Sequence, residues 1–437
     1  MSILIKMKLN YLLPLCSLVV FLSCKGPERV RQKSLDEISK KYSKLALEIG
    51  QYDNDFIDAY YGAEEWNRNS KDAKDLPYEE LKWQSTTLLN QLKSIDDMAF
   101  SDLELLRYQF LNKQLNAIRT KLDMMSGKTY PFDVESLRLY DVVAPHIDLV
   151  VYDEILIELD NIVPGEGDLT SRYHDYSKGF IIPADKVDKV FQAAISEARK
   201  RVSERITLPV NESFELEYVN DKPWSGYNWY KGNAHSLIQI NTDLPIYIER
   251  AVDLACHEGY PGHHVYNAIL EHALVDQLKW QEFQVYPLFS PQSFIAEGTA
   301  NYGIEMVFNL EERIKFEEEV LFPIAGFDPE LAAPYYAIQE LRKSLLSAEI
   351  QIARAYLNHE IESAEAVDLL KKYLQYEEDR AKQRLSFFDR YRSYVINYSL
   401  GNDLIKDYIE EATATEVDSK WELYLKVLST PRTASTL

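Results

Sequence analysis

Apolar residues along most of the chain recur every three or four positions, which is the spacing of an amphipathic helix. The pattern is clearest over residues 187–202, where the apolar positions form one continuous stripe. The same spacing recurs over 36–125, 340–380 and 402–426. This periodicity predicts a mainly α-helical protein.

Alternation of apolar and polar residues, which is typical of a strand with one buried face, is sparse and clusters near the middle of the chain. It covers residues 214–219 and 236–241, and turn signals at Gly226, Gly232 and Pro245 border these runs. The sequence therefore predicts a small β-sheet that edges a cleft, placed just before the histidine-rich segment described below.

The N-terminal residues have the pattern of an export signal. Lys6 and Lys8 precede an apolar run of about fifteen residues, which is too short for a spanning helix. The run ends in Phe-Leu-Ser-Cys at Cys24, which resembles the lipobox of bacterial lipoproteins, whose cysteine receives lipid. An ordinary secretory signal, or a membrane anchor with an incidental cysteine, is the alternative. Each of these predicts export, to the periplasm or the outer membrane in the lipoprotein case.

The rest of the chain carries no firm domain boundary. We predict a signal peptide, a polar tether and a single mostly helical domain over 1–23, 24–35 and 36–437. If Cys16 leaves with the signal and Cys24 carries lipid, Cys256 has no disulfide partner, so stability must come from packing. Contact with the membrane is then expected only through the lipid on Cys24.

The charge balance bears on the class of partner. The chain has 70 acidic and 48 basic residues, a formal net charge of -22, and only short basic runs such as 199–201. Because nucleic-acid affinity depends on clustered Lys and Arg, we expect no nucleic-acid partner. The charge predicts a well-solvated surface.

Three of the 8 histidines lie within residues 257–264, which read His-Glu-Gly-Tyr-Pro-Gly-His-His. In the His-Glu-x-x-His zinc helix, ligands four positions apart share a face and the Glu reaches the metal-bound water. Here Pro261 replaces the second histidine. A regular helix would place His263 about 240° around from His257, and His264 about 10.5 Å away along the axis. Neither could share a metal with His257 in an undistorted helix.

The Pro261-Gly262 pair suggests how the spacing is restored. Proline removes a backbone donor and glycine permits unusual dihedrals, so a bulge or kink is expected at this pair. Without the pair, the remaining residues match His-Glu-x-x-His. We therefore predict that His263 is the second ligand and Glu258 the general base, with His264 as the alternative ligand or as a supporting or substrate-contacting group.

A catalytic zinc ion takes three protein ligands and keeps one position open for water. Glu297 is the predicted third ligand, because Ile295, Ala296 and their neighbours are small or apolar enough to pack this segment beside the motif helix. Gly298 would allow a close approach. The sequence thus predicts one bound Zn²⁺, with manganese or cobalt as alternatives.

The His-Glu-x-x-Pro-Gly-His pattern followed by Glu-Gly resembles the bacterial domain-of-unknown-function family numbered eight hundred and eighty-five. The resemblance extends from the 58–66 stretch to the 398–401 segment, although the family more often has Trp after the Glu-Gly pair. The family is similar to mostly helical zinc metallopeptidases. The resemblance implies a large helical, gluzincin-type fold, with His257, His263 and Glu297 holding the metal and Glu258 acting as base.

Further candidates concern the substrate. Tyr398, in the family-like segment near the C-terminus, is the preferred donor to the oxyanion, and Tyr335 and Tyr336 are alternatives. Arg392 is a candidate for gripping a substrate carboxylate, with an ordinary salt bridge as the alternative. In such a site Glu258 takes a proton from the metal-bound water and passes it to the leaving amine.

Together these residues predict a zinc metallopeptidase that cleaves amide bonds of a peptide or another small amide. One alternative is a zinc hydrolase of non-peptide amides or esters. Another is a lipid-anchored binding protein without catalysis. Retention of Glu258 beside the ligands favours a hydrolase over a binding protein, because a binding site needs no base there.

Overall fold

The computed structural model describes residues 27–66, 75–95, 100–222, 224–413 and 417–437. The predicted signal peptide over 1–23 and the predicted acylation site, Cys24, lie outside these residues. Helices make up 69% of the structure and strands 8%, which confirms the predicted mainly helical class with small sheets. None of the helices in the described ranges combines the length and the apolarity needed to cross a bilayer.

The α-helices account for most of the described chain. They are α1 (Pro27–Ile49), α2 (Tyr78–Lys93), α3 (Asp102–Met125), α4 (Phe132–Tyr140), α5 (Asp153–Ile162), α6 (Leu169–Ser177), α7 (Val187–Ser203), α8 (Glu249–Leu254), α9 (His263–Leu270), α10 (Pro291–Val307), α11 (Leu310–Phe316), α12 (Phe322–Ala325), α13 (Ala332–Ser344), α14 (Ala348–Leu357), α15 (Ser363–Leu374), α16 (Glu378–Tyr391), α17 (Ile396–Thr413) and α18 (Val417–Ser429). The strands are β1 (Ile57–Tyr60), β2 (Ser213–Val219), β3 (Gly226–Gly232), β4 (His235–Asn241) and β5 (Val285–Pro287).

Two helices test the periodicity argument. The apolar stripe over 187–202 forms α7, and its buried residues are the predicted ones. The helix α1 begins at Pro27, so it overlaps most of the stretch over 24–35 that the sequence predicts as a polar tether, and the tether stays a prediction. Good helix formers fill these positions, and Leu35 is fully buried, so the helix is anchored to the core from that residue onward.

The central sheet has the strand order β2-β4-β3, with β2 parallel and β3 antiparallel to β4. Both predicted strands are confirmed as β2 and β4. Gly226 begins β3, so the turn predicted there was wrong. Gly232, with a φ of 81°, ends β3 directly before the turn into β4, as predicted. Glycine is required at position 226, because a β-carbon there would come within 2.7 Å of Leu254 and 3.3 Å of the Glu258 carboxylate. The glycine therefore lets the sheet edge approach the motif segment.

A second close approach places α10. Most buried apolar side chains belong to one connected cluster that extends from α1 to α18. Within it α10 packs against both the motif segment and α17. At the crossing with α17, a β-carbon on Gly298 would lie 2.5 Å from the carbonyl oxygen of Gly401. The close approach predicted for Gly298 is thus present, but its partner is α17.

Candidate metal centre

The helix that carries the motif is broken where the sequence predicted a bulge. After α8, Ala255–Gly259 form a π-helical turn, and α9 restarts at His263. The amide of Gly262 donates to the carbonyl of Cys256 over 2.8 Å. A β-carbon on Gly262 would lie 1.8 Å from the carbonyl oxygen of His257. Because no side chain fits there, glycine is required for the break.

The break brings three donor side chains together. The Nε2 atoms of His257 and His263 are 3.2 Å apart. Glu297 places Oε2 3.4 Å from His257 Nε2 and Oε1 3.7 Å from His263 Nε2. Ligands at about 2.0–2.1 Å from a tetrahedral zinc ion lie about 3.3 Å from one another. These three residues therefore form a possible metal site, with ligand atoms all within 4.8 Å of one another.

The chemistry of the donors fits a cation. Glu297 is only 7% exposed, and its Oε2 atom has no hydrogen-bond partner within the described chain. A buried carboxylate oxygen without a partner is costly, and a bound metal would remove that cost. Burial lowers the pKa of His263 to about 4, so its imidazole is neutral and its lone pair is free for a ligand bond.

Electrostatic coupling within the cluster is strong. Burial acts to lower the pKa of His257, but its contact with Glu297 and the charge of Glu258 raise it overall. Burial acts to raise the pKa of Glu297, but the two histidines and a hydrogen bond from Tyr394 lower it overall. Glu297 is therefore held as the carboxylate, the form that binds metal.

Asn301 orients the first histidine. Its Oδ1 atom lies 3.0 Å from His257 Nδ1, and its Nδ2 donates to the carbonyl of Tyr398 over 3.3 Å. Because the amide nitrogen faces a carbonyl, the amide oxygen must accept from Nδ1–H. In the neutral imidazole, the form that binds metal, that hydrogen bond places the proton on Nδ1 and leaves Nε2 available to a metal. Asn301 lies one helical turn after Glu297, so α10 supplies both groups.

Tyr394 holds the third donor, although no pattern in the sequence selected it separately. It lies in the short 3-10 turn between α16 and α17, and its hydroxyl donates to Glu297 Oε1 over 2.9 Å. Ser293 donates to the Tyr394 hydroxyl over 3.3 Å. Since Oε1 is occupied, Oε2 is the atom left for a cation. A signal was present, because Tyr394 precedes Tyr398 by one helical turn in the segment already selected.

Glu258 lies beside the cluster and is 5% exposed. Its backbone carbonyl accepts from Asn228 on β3 over 2.7 Å, and its carboxylate makes no hydrogen bond within the described residues. Burial raises the pKa of Glu258 to about 7, with His257 opposing the shift and Glu297 adding to it. A carboxyl group with a pKa near neutrality can both accept and return a proton.

The three tyrosines considered as donors to the oxyanion have different surroundings. Tyr398 lies on α17, and burial, together with the charges of Glu297 and Glu258, raises its pKa well above the usual value. Its hydroxyl therefore stays protonated, and it interacts electrostatically with both carboxylates. Tyr335 donates to Glu249 over 2.5 Å and Tyr336 donates to Glu317, so both alternatives are engaged elsewhere.

His264 has no nitrogen left for a metal. It is fully buried, with Nδ1 2.9 Å from the Ser236 hydroxyl and Nε2 3.0 Å from Glu212 Oε2. Tyr260 donates to the same Glu212 oxygen over 2.7 Å. The hydrogen bonds from His264, Tyr260 and Arg199 outweigh burial and lower the pKa of Glu212 to about 2. The alternative of His264 as the second ligand is therefore corrected to a structural role.

Arg392 is committed to an ion pair. Its Nε atom lies 2.6 Å from Glu135 Oε2, and the Ser393 hydroxyl and amide donate to the other oxygen of Glu135. Glu135 is 1% exposed. This is the salt-bridge alternative, so the idea that Arg392 grips a substrate is corrected.

No protein-family model matches the chain, and no curated protein matches it in sequence. A structure from Colwellia psychrerythraea, named as a lipoprotein, aligns at 13% identity and TM-score 0.49, over 82% of this chain and 63% of that one. A Shewanella oneidensis structure named as a lipoprotein of unknown function aligns at 13% identity and TM-score 0.46, over 81% and 71% of the two chains. The M32 carboxypeptidase of Deinococcus radiodurans R1 aligns at 12% identity and TM-score 0.38, over 94% and 93%.

This chain thus spans less than two thirds of the Colwellia psychrerythraea protein's length. With identities this low and TM-scores below 0.5, these similarities assign no activity to the chain. Its resemblance to the family numbered eight hundred and eighty-five stays a prediction from the motif.

Proposed function

We propose that the chain is a zinc-dependent hydrolase that cleaves amide bonds of peptides. One observation carries the proposal. The Nε2 atoms of His257 and His263 converge with the unpaired Oε2 atom of Glu297, beside the free carboxylate of Glu258. Two imidazoles and one carboxylate are a typical ligand set of hydrolytic zinc, which leaves one position open.

A bound zinc ion would supply an acidic water and polarise the scissile carbonyl. The residues of the chain would do the remaining work. Glu258 accepts the water proton on its carboxylate and delivers it to the leaving nitrogen. The protonated hydroxyl of Tyr398 donates to the oxyanion, a contribution typically worth about 2.7–4 kcal/mol. Asn301 and Tyr394 hold the ligands in orientation.

The decisive experiment combines metal analysis with a peptide-library assay of the wild type and Glu258→Gln. We expect about one zinc per chain in both proteins, and a loss of about 10²- to 10⁴-fold in kcat for the variant, because it lacks the base. Glu311→Gln, an exposed carboxylate on α11, is the matched control and keeps full activity.

Two outcomes would overturn the proposal. One is a Glu258→Gln protein that cleaves as fast as the wild type. The other is a purified protein that binds no metal under any condition. Cleavage of esters or non-peptide amides, with the peptide library left intact, would keep the hydrolase and replace the substrate class.

We also propose that the protein is exported and held at the membrane by lipid on Cys24, since this cysteine follows the signal-like segment. Expression of Cys24→Ser in a bacterial host is expected to move the protein from the membrane fraction to the soluble fraction. Cys16→Ser, within the same segment, is the control and leaves it in the membrane fraction. Equal membrane association of both variants would rule out this anchor.

A further inference from the structure

Arg250 is a weakly held cation next to the candidate centre. It lies on α8, seven residues before His257 and in the same turn-to-turn run of helix that leads into the π-helical segment. Its Nη1 atom is 3.4 Å from Asp253 and its Nη2 atom is 3.4 Å from the Ser225 hydroxyl. Both distances are long for hydrogen bonds. The side chain is 38% exposed, so donors of the guanidinium group stay open to a ligand.

The other arginines around the centre are neutralised. Arg392 pairs with Glu135 at 2.6 Å, and Arg384 forms a two-pronged pair with Glu349 at 2.5 and 2.8 Å. Asp253, the nearest carboxylate to Arg250, binds Arg313 more closely, at 2.9 Å through Oδ1. Arg250 is therefore compensated far less than these arginines.

The position of Arg250 relative to the reacting groups follows from its neighbours. Ser225, which it contacts, precedes Gly226, where an added β-carbon would lie 3.3 Å from Glu258 Oε1. The charge of Arg250 lowers the pKa of both Glu258 and His257. The guanidinium group thus faces the centre from the side of β3.

We propose that Arg250 binds the free C-terminal carboxylate of a peptide substrate, so that the site removes the last residue of the peptide. This inference rests on the proposed function. A planar guanidinium group matches a carboxylate with two parallel hydrogen bonds. The C-terminal carboxylate of such a substrate lies two bonds beyond the leaving nitrogen, which places it near the scissile amide.

The step balances as a hydrolysis. The oxygen of one water bonds to the scissile carbonyl carbon, and the carbon–nitrogen bond breaks. One water proton goes through Glu258 to the leaving nitrogen, and the second is lost from the new carboxyl group and protonates the released amine. The released amino acid keeps its carboxylate on Arg250 until it dissociates.

The test uses the metal-loaded full chain and two matched sets of N-acetylated dipeptides, one with free C-terminal carboxylates and one with C-terminal amides. We expect kcat/KM to be about 10- to 100-fold higher for the free acids, as for a charge-assisted pair. Arg250→Met should remove this difference, mainly through KM of the free acids. Any effect through the pKa of Glu258, which Arg250 lowers, falls on both sets, so the ratio of acid to amide is the readout. Arg250→Lys should be intermediate because it keeps the charge but loses the two-pronged geometry.

A binding measurement separates recognition from turnover. With Glu258→Gln as background, calorimetry on the best-cleaved free acid and on its amide should give tighter binding of the acid, lost in Arg250→Met. Arg380→Met, an exposed arginine on α16 that contacts Gln383, is the control and retains the preference. Dipeptide amides ending in Asp or Glu test whether a side-chain carboxylate substitutes.

Equal cleavage of acids and amides by the wild type would overturn the inference and leave the proposed function standing. So would a uniform loss on both sets in Arg250→Met, or acidic side chains that replace the terminal carboxylate fully. Cleavage of neither set by metal-loaded protein would overturn the peptidase proposal, and this inference with it.

Discussion

His263 and His264 are adjacent histidines in opposite situations. His263 brings Nε2 to within 3.2 Å of His257 Nε2, in a cluster where one oxygen of Glu297 has no partner. His264 has both nitrogens engaged, by Ser236 and Glu212. The two share their residue type and both are largely buried, with side chains 13% and 0% exposed. The difference is whether the polar atoms are satisfied within the chain, because an unpaired buried group persists only where something completes it.

The largest expected effect comes from exchanging these two histidines for alanine. His263→Ala should weaken metal binding by more than about 100-fold, since loss of a ligand exceeds the loss of a supporting group. The metal-free protein should keep its stability. His264→Ala should lower the free energy of unfolding by about 2–4 kcal/mol, through a cavity and unpaired partners, with a smaller effect on metal binding. Metal titration and thermal unfolding of the metal-free proteins measure both.

The comparison would break in one of two ways. His263→Ala could bind zinc as tightly as the wild type, or His264→Ala could show the larger loss of affinity with unchanged stability. Either result would make His264 the ligand and His263 the supporting residue.

The second prediction concerns the break that separates the two histidine environments. Gly262→Ala places a methyl group 1.8 Å from the carbonyl oxygen of His257, so the backbone must move. We expect the free energy of unfolding to fall by about 1–3 kcal/mol and zinc affinity to fall by about 10- to 100-fold. Gly179→Ala is the control, because a β-carbon there meets nothing within 4 Å. Its stability should stay within about 0.5 kcal/mol of the wild type. Unchanged zinc affinity in Gly262→Ala would show that the break does not position the ligands.

Apolar periodicity and alternation in the sequence predicted the helices and strands whose residues show those patterns. The helix α7 and the strands β2 and β4 follow from periodicity and alternation. The strand β3 was missed because its residues, Gly-Tyr-Asn-Trp-Tyr-Lys-Gly, do not alternate and its glycines suggest turns. These glycines serve close packing instead: Gly226 against Glu258, and Gly232 against Tyr61.

In the site, too, local sequence predicted some residues, whereas the roles of others depend on packing between distant segments. The ligand and base candidates come from spacing within one helix and from one later Glu-Gly pair, and they converge. Asn301, Tyr394 and Arg250 were missed because their roles depend on packing between distant segments. The salt bridge of Arg392 was anticipated, but its partner Glu135 could not be named because it lies far away in sequence.

The smallest predicted effect tests whether the hydrogen bonds around His264 help to position the ligands of the candidate metal centre. Tyr260 and His264 flank the Pro261-Gly262 break, and both bind the same oxygen of Glu212, at 2.7 and 3.0 Å. Glu212→Gln keeps one acceptor but turns a donor toward groups that also donate. The flanks of the break should therefore separate slightly, and zinc affinity should fall by about 10-fold.

A second buried glutamate makes this test specific. Glu282 is fully buried and accepts from Arg107 at 2.6 Å, with no contact to the break. Glu282→Gln should cost more stability than Glu212→Gln, because the buried guanidinium group of Arg107 then keeps a single carboxylate partner, the half-exposed Asp36. It should nevertheless leave zinc affinity unchanged. If affinity instead follows the loss of stability in the two variants, Glu212 acts only on the fold. If affinity falls in Glu212→Gln alone, the closed network around His264 holds His263 in place.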